Sequence, residues 1–270
     1  MTPKRPLLGR FPAGLDRQPS QLLSPAPLLR PQRPVHEAAR DAARPAVPSG
    51  LGLDSAAIRQ RMVARLRNEG ILCEAVLAAL ERVPRHQFVD TALATQAYED
   101  TSLPIGLNQT ISKPSVVARM LCLLHEGELA RSAGSLGRTL EIGTGCGYQT
   151  ALLSLLSRQV VSIERLKPLH DKAREHLVGW RSGDVRLVWG DGKLGHAPRA
   201  PYASIIAAAG GDALPEAWLE QLAEGGRLVA PMFDARSGGQ VLVVVDKTGQ
   251  GISQRLLDAV NFVPLKSGTA

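Results

Sequence analysis

From residue 138 onward, apolar positions fall into short runs separated by helical stretches. Strands are expected at 138–143, 159–164, 184–189, 203–209, 226–231, 240–246 and 255–263, and helices near 148–157, 167–178 and 214–223. Four strands separated by helices imply βαβ units and a parallel sheet. The last two runs, joined by Asp246–Gly251, read as an antiparallel hairpin at the sheet edge. Upstream, Ile58, Met62 and Leu66 mark a helix face that Asp54 or Ser55 can cap and Gly70 ends. A second helix covers Cys73–Arg82, and Pro84 signals a turn after it. Residues 98–112 read as an irregular polar loop. Pro114 opens a helix through Leu124, with Ser112 at or near its N-cap.

Residues 1–50 break this pattern. They hold ten of the 19 prolines and have no helical or strand period, so a disordered tail is expected over residues 1–52 and one folded domain over 53–270. The same segment carries eight Lys and Arg against three Asp and Glu. The net +7 of the chain thus leaves only +2 on residues 51–270. That balance gives no electrostatic case for nucleic acid. No apolar run is long enough to span a membrane, and no apolar stretch follows Lys4 and Arg5 as in a secretory signal. Cys73, Cys122 and Cys146 form no C-x-x-C pair and suit a reducing compartment, so the chain is expected to be cytoplasmic. The six histidines show no ligand spacing, and no metal is expected.

The chemistry lies in Leu140-Glu141-Ile142-Gly143-Thr144-Gly145-Cys146-Gly147 and in Val160–Glu164. A strand runs into a loop with three glycines, a helix follows, and a second strand closes on a carboxylate. Glycine lets backbone approach a ligand closely, and an acid at the next strand tip can accept hydrogen bonds from both ribose hydroxyls. This is a nucleoside-binding βαβ unit. A dinucleotide fingerprint needs G-x-G-x-x-G, but here the third glycine comes one residue early, and Tyr148 stands where that pattern wants glycine or alanine. Cys146 reads as a small spacer in the loop.

The E-x-G-x-G-x-G pattern followed by an acid resembles the S-adenosyl-L-methionine site of class I methyltransferases. Further blocks narrow the resemblance. They are Val83-Pro84-Arg85-x-x-Phe88-Val89-Asp90, Leu103-Pro104-Ile105-Gly106-x-x-Gln109-Thr110-Ile111-Ser112-x-Pro114, Gly190-Asp191-Gly192 and Phe262-Val263-Pro264-Leu265. Together they resemble the protein-L-isoaspartate O-methyltransferase family over about residues 54–268. The Gln-Thr-Ile-Ser-x-Pro block is the discriminating element. Two departures stand out. Tyr202-Ala203-Ser204-Ile205-Ile206 lacks the aspartate usual in the family, and 207–211 is unusually small and glycine-rich.

The resemblance implies a doubly wound α/β fold with a mostly parallel seven-stranded sheet, an antiparallel edge strand and a helical N-terminal extension. It implies methyl transfer from S-adenosyl-L-methionine to the α-carboxyl group of L-isoaspartyl residues in damaged proteins and peptides, after which the ester recloses to a succinimide. Ser112 falls on the family's active-site serine, with a helix cap as its plainer role. Thr110 and Ile111 should line the methionine end of the cofactor, and Gly143, Gly145 and Gly147 should pass beneath it. Glu164 should take the ribose, and Asp191-Gly192 should meet the adenine, unless Asp-Gly is only a turn. Glu141, Thr144 and Arg165 complete the expected cofactor set. The expected partners are isoaspartyl polypeptides, with neither nucleic acid nor membrane, and the chain is expected to be a monomer. Two alternatives remain open: a class I methyltransferase acting on a small molecule or RNA, and a non-catalytic cofactor-binding protein.

Overall fold

The computed structural model describes residues 56–180 and 184–270. The tail expected over 1–52, the cap at Asp54 or Ser55 and the domain start at 53 lie outside the described residues. Helices α1 (Ala56–Asn68) and α2 (Glu74–Arg82) come first. Met62, Val63 and Leu66 bury one face of α1, and Val76, Leu77, Ala79 and Leu80 bury one face of α2.

The expected irregular loop contains a hairpin, β1 (Leu103–Gly106) and β2 (Gln109–Ile111), paired antiparallel. Leu107 and Asn108 at its tip have φ of 52° and 57°. Positive φ at both central residues is the turn geometry that matches strand twist. Asn108 was the available signal, and Leu107, a poor left-handed residue, hides it. Leu103, Ile105 and Ile111 are buried, so the hairpin packs as part of the fold.

Helix α3 (Pro114–His125) begins at the expected proline, but its cap differs from expectation. Lys113 occupies the N-cap position and contributes no side-chain bond. Asp100 does the capping from the preceding loop. Its Oδ1 accepts the Ser115 N–H at 2.8 Å, and its Oδ2 accepts the Ser115 hydroxyl at 2.7 Å. Ser112 is therefore not the cap, because a carboxylate remote in sequence already satisfies the helix end.

After α4 (Glu128–Ala133) the chain alternates. It forms β3 (Arg138–Ile142), α5 (Tyr148–Leu156), β4 (Gln159–Glu164), α6 (Lys167–Leu177), β5 (Asp184–Trp189), β6 (Tyr202–Ala207), α7 (Glu216–Gln221), β7 (Leu222–Asp234), β8 (Gly239–Thr248) and β9 (Gly251–Val260). The seven strands lie in the order β5-β4-β3-β6-β7-β8-β9. The first five are mutually parallel. The expected edge hairpin is present. Its inner strand β8 runs against both neighbours, and β9 is outermost.

Both sheet faces are buried in the centre, so the strands read as continuous apolar runs. Val160, Ile206, Val229 and Val244 face the core formed with α1, α2, α3 and α5, while Val161, Ile205, Leu228 and Val243 face the core around Trp218. The chain order reverses between β3 and β6. The two crossovers leave on opposite faces there and open a crevice at the carboxyl ends of the strands, where ligands of open α/β sheets bind.

The cap assignment is testable by chemical denaturation. Asp100→Ala should lower the unfolding free energy by about 1–2 kcal/mol, the usual cost of a lost helix cap. Ser112→Ala should leave it unchanged within about 0.5 kcal/mol, as for a substitution away from cap or core.

Candidate active site

The crevice begins where the sheet hydrogen bonds run out. Gly143 N–H reaches Ile163 O at 2.8 Å, and Ala208 N–H reaches Ile142 O at 2.8 Å. Beyond these bonds the loops diverge around a cavity of about 270 Å3. Of the residues singled out in the sequence, Thr110, Ile111, Ser112, Gly143, Thr144, Gly145, Glu164, Arg165 and Gly192 line it.

The glycine loop forms the floor, and its geometry needs glycine. Gly145 has φ +56°, and a Cβ there would stand 3.2 Å from Ile105 Cδ1. Glu164 is buried at the cavity wall, and two backbone N–H groups orient it. Gly145 N–H donates to Oε2 and Leu166 N–H to Oε1, each at 2.9 Å. Each oxygen keeps lone-pair capacity toward the cavity.

Glu141, expected among the cofactor contacts, stands behind the cavity wall. It is fully buried, and its carboxylate is taken up inside the protein. Oε1 accepts Gln149 Nε2 at 3.1 Å, and Oε2 accepts the hydroxyls of Thr150 at 2.5 Å and Ser162 at 2.6 Å. Ser162 in turn meets Thr144 Oγ1 at 2.6 Å. The carboxylate thus ties the first turn of α5, the middle of β4 and the glycine loop together. Burial pushes its pKa up to about 7, against the lowering effect of Ser162, Thr150 and Gln149. Gly147 caps α5 at φ 91°, a Cβ there would meet Leu177 and Ala173, and it is not among the residues lining the cavity. Cys146 is a buried spacer whose thiol burial pushes up in pKa.

Asp191 stands outside the cavity lining, beside Gly192, which does line it. Oδ1 accepts Lys193 N–H at 2.9 Å, and Oδ2 accepts Gly268 N–H at 2.6 Å. The partner segment was invisible to local pattern reading. Residues 263–266 line the cavity, and 268–270 are pinned beside it. Arg165 Nε donates to Gly268 O at 2.9 Å, Ala270 N–H to Arg165 O at 2.8 Å, and Lys167 N–H to Ala270 O at 2.7 Å.

The small residues at 207–211 now have a reason. Gly210 exchanges backbone bonds with the returning segment: its N–H reaches Val263 O at 2.8 Å, and Leu265 N–H reaches its carbonyl at 2.7 Å. A Cβ on Gly210 would collide with the Gln240 amide. That amide clamps Phe262, accepting its N–H at 2.7 Å and donating to its carbonyl at 3.2 Å.

A second cavity of about 300 Å3 adjoins the first. Thr110, Ser112, Ala208 and Val263 line both. Lys113 is the one charged side chain on the second cavity's lining among the described residues. Ser112 is half-buried at the junction. Its carbonyl is held by Arg85, and its hydroxyl makes no hydrogen bond to another described residue. Two cavities meeting at a free hydroxyl suit a donor and an acceptor approaching along one line.

The model of the family Protein-L-isoaspartate(D-aspartate) O-methyltransferase (PCMT) matches residues 57–270. The chain belongs to this family. It is 62% identical over 262 residues to a protein-L-isoaspartate O-methyltransferase of Methylibium petroleiphilum, covering 96% of each chain. It is 57% identical over 277 residues to one of Leptothrix cholodnii, covering 98% of this chain and 96% of that one. A solved protein-L-isoaspartate O-methyltransferase matches with TM-score 0.68 and 26% identity, over 77% of this chain and 66% of that one. A putative Plasmodium falciparum member, solved with S-adenosyl-L-homocysteine, shares the fold at TM-score 0.66 and 23% identity, over 77% of this chain and 98% of that one. The family assignment carries S-adenosyl-L-methionine as cofactor, and the glycine floor and the preset Glu164 carboxylate fit it.

The Glu141 network predicts a pH dependence. Folding raises this carboxyl from 4.5 to about 7, so between those values the folded chain binds more protons than the unfolded one. Its contribution is most favourable below pH 4.5, declines as pH rises and levels off above 7. Glu141→Gln removes the titration. The stability of the variant relative to wild type should improve by on the order of 1–3 kcal/mol between about pH 5 and pH 8. Denaturant titrations of both proteins at the two pH values check this, and a constant difference would refute it.

Proposed function

We propose that the first cavity takes S-adenosyl-L-methionine, that the second takes the isoaspartyl side of a polypeptide, and that Ser112 orients the reacting carboxylate where they meet. The reaction is that of the family: a methyl group passes to the α-carboxyl of an L-isoaspartyl residue. The observation that carries the assignment of roles is the unengaged Ser112 hydroxyl on the wall shared by both cavities.

The cofactor supplies an electrophilic methyl group on a sulfonium. The acceptor is a carboxylate, ionised at neutral pH with a reference pKa of about 3.5–4, so no general base is needed. The residues present agree, since no nucleophile–base pair lines either cavity among the described residues. What the protein contributes is placement. Ser112 donates to one carboxylate oxygen and leaves the other facing the methyl carbon. Gly143 and Gly145 let the loop backbone lie against the cofactor, and Glu164 holds its ribose. Thr110 and Ile111 separate the two cavities, and Ala208 and Val263 help keep water from the junction. An anion and a cation become a neutral ester and a neutral thioether, so a dry junction favours the step.

Among the described residues, no helix is long and apolar enough to cross a membrane. We propose further that the enzyme acts as a cytoplasmic monomer without nucleic acid, in keeping with the +2 net charge of residues 51–270. Asp191 serves the adenine end indirectly, by fixing the segment beside it.

Two measurements test these roles. Ser112→Ala should slow methylation of an isoaspartyl peptide about ten- to a hundredfold, the loss of one hydrogen bond to a charged group. Its affinity for S-adenosyl-L-homocysteine should not change. Full activity would leave Ser112 without a catalytic role, and equal methylation of matched aspartyl and isoaspartyl peptides by wild type would overturn the function. Glu164→Ala should weaken calorimetric binding of S-adenosyl-L-homocysteine at least about tenfold. A change under about twofold would remove Glu164 as the ribose ligand.

A further inference from the structure

Arg85 is fully buried, and no carboxylate pairs with it among the described residues. Its Nε donates to Ala97 O at 2.8 Å, and its Nη2 donates to Ser112 O at 2.7 Å. Its guanidinium lies over the Tyr148 ring, 4.9 Å from the centroid. Nη1 and the Tyr148 hydroxyl are buried and make no well-formed hydrogen bond among the described residues, and the two side chains interact with each other. The nearest acid acting on it, Asp100, is committed on both oxygens to the start of α3. One side chain therefore spans three pieces of the site: the turn ending at Ala97, the Ser112 junction and the first residue of the glycine-loop helix.

An unneutralised buried cation is costly, and a neutral side chain of similar volume would pack at less cost. Its two carbonyl bonds alone do not require a full charge. The Tyr148 ring face offsets part of the charge, and an anion docked nearby would offset more. The half-buried junction at Ser112, whose own carbonyl Arg85 holds, is the proposed place of the substrate carboxylate.

We propose that Arg85 is a positioning residue: it fixes the Ser112 backbone and lends the junction the positive potential that selects an anionic α-carboxylate over its neutral amide. This rests on the proposed role of the junction. The reaction forms one C–O bond and breaks one C–S bond, with no proton moved, and the carboxylate loses its charge as the ester forms. A cation therefore stabilises the bound substrate at least as strongly as the transition state, so loss of Arg85 should raise KM without lowering kcat.

The test compares wild type, Arg85→Lys and Arg85→Gln with an isoaspartyl peptide and its α-carboxamide analogue as inhibitor. In Arg85→Gln, KM should rise at least tenfold while kcat falls by no more than threefold and S-adenosyl-L-homocysteine affinity stays within twofold. Arg85→Lys should recover most of the KM. Wild type should bind the carboxamide at least tenfold more weakly than the carboxylate peptide, and Arg85→Gln should lose that preference. A purely structural role would lower kcat, cofactor affinity and Tm together and make Lys no better than Gln, which would overturn the proposal. Equal wild-type affinity for the carboxamide and the carboxylate would also overturn it, even if both variants failed to fold. If wild type did not methylate the isoaspartyl peptide, the reading of the site itself would fail, and the role of Arg85 with it.

Discussion

The reversal of strand order at the sheet centre is the constraint from which the rest follows. β3 pairs with β4 on one side and β6 on the other, and all three end together. Their crossovers must leave on opposite faces, so no chain covers the gap above Ile142. The last sheet bonds are made by Gly143 and Ala208. The groups that the sheet contributes to the first cavity lie at or just beyond them. The glycine loop, the tip of β4 and the small loop after β6 are neighbours because the topology leaves them no other place.

A split crevice has to be held open. Buried polar groups do this, since apolar packing alone would close it. Glu141 binds three donors beneath the loop. Asp100 fixes the helix that begins behind Ser112, and Arg85 holds the Ser112 carbonyl from below. Each is a satisfied or nearly satisfied polar group in a low-dielectric setting, where such bonds are strong and specific. The two hydroxyl-bearing surfaces facing the cavities, Thr110 and Ser112, thereby rest on a rigid frame.

Most of the fold was legible in the pattern of apolar positions. The seven strands and the helices between them come from runs whose period and length reflect burial, and burial is local information. The glycine loop and Glu164 were legible because backbone approach and a strand-tip acid leave marks within a few residues. What escaped was set by distant partners. Asp100 caps a helix fifteen residues on, displacing Ser112 from that task. Asp191 is engaged by Gly268, 77 residues away, and Glu141 turns inward to Ser162 on the adjacent strand. An acid in a motif shows that a carboxylate is wanted, but not which way it faces. The β1–β2 hairpin was missed for a different reason: its turn uses Leu107 in a conformation that leucine seldom adopts.

Gly210 and Gln240 show how such a long-range fit limits sequence drift. The Gln240 amide occupies the space where a side chain at 210 would go, and it clamps Phe262 with both of its ends. A larger residue at 210 must displace the amide, and a shorter one at 240 releases the segment it clamps, so the two positions, thirty residues apart, are coupled through a single side chain.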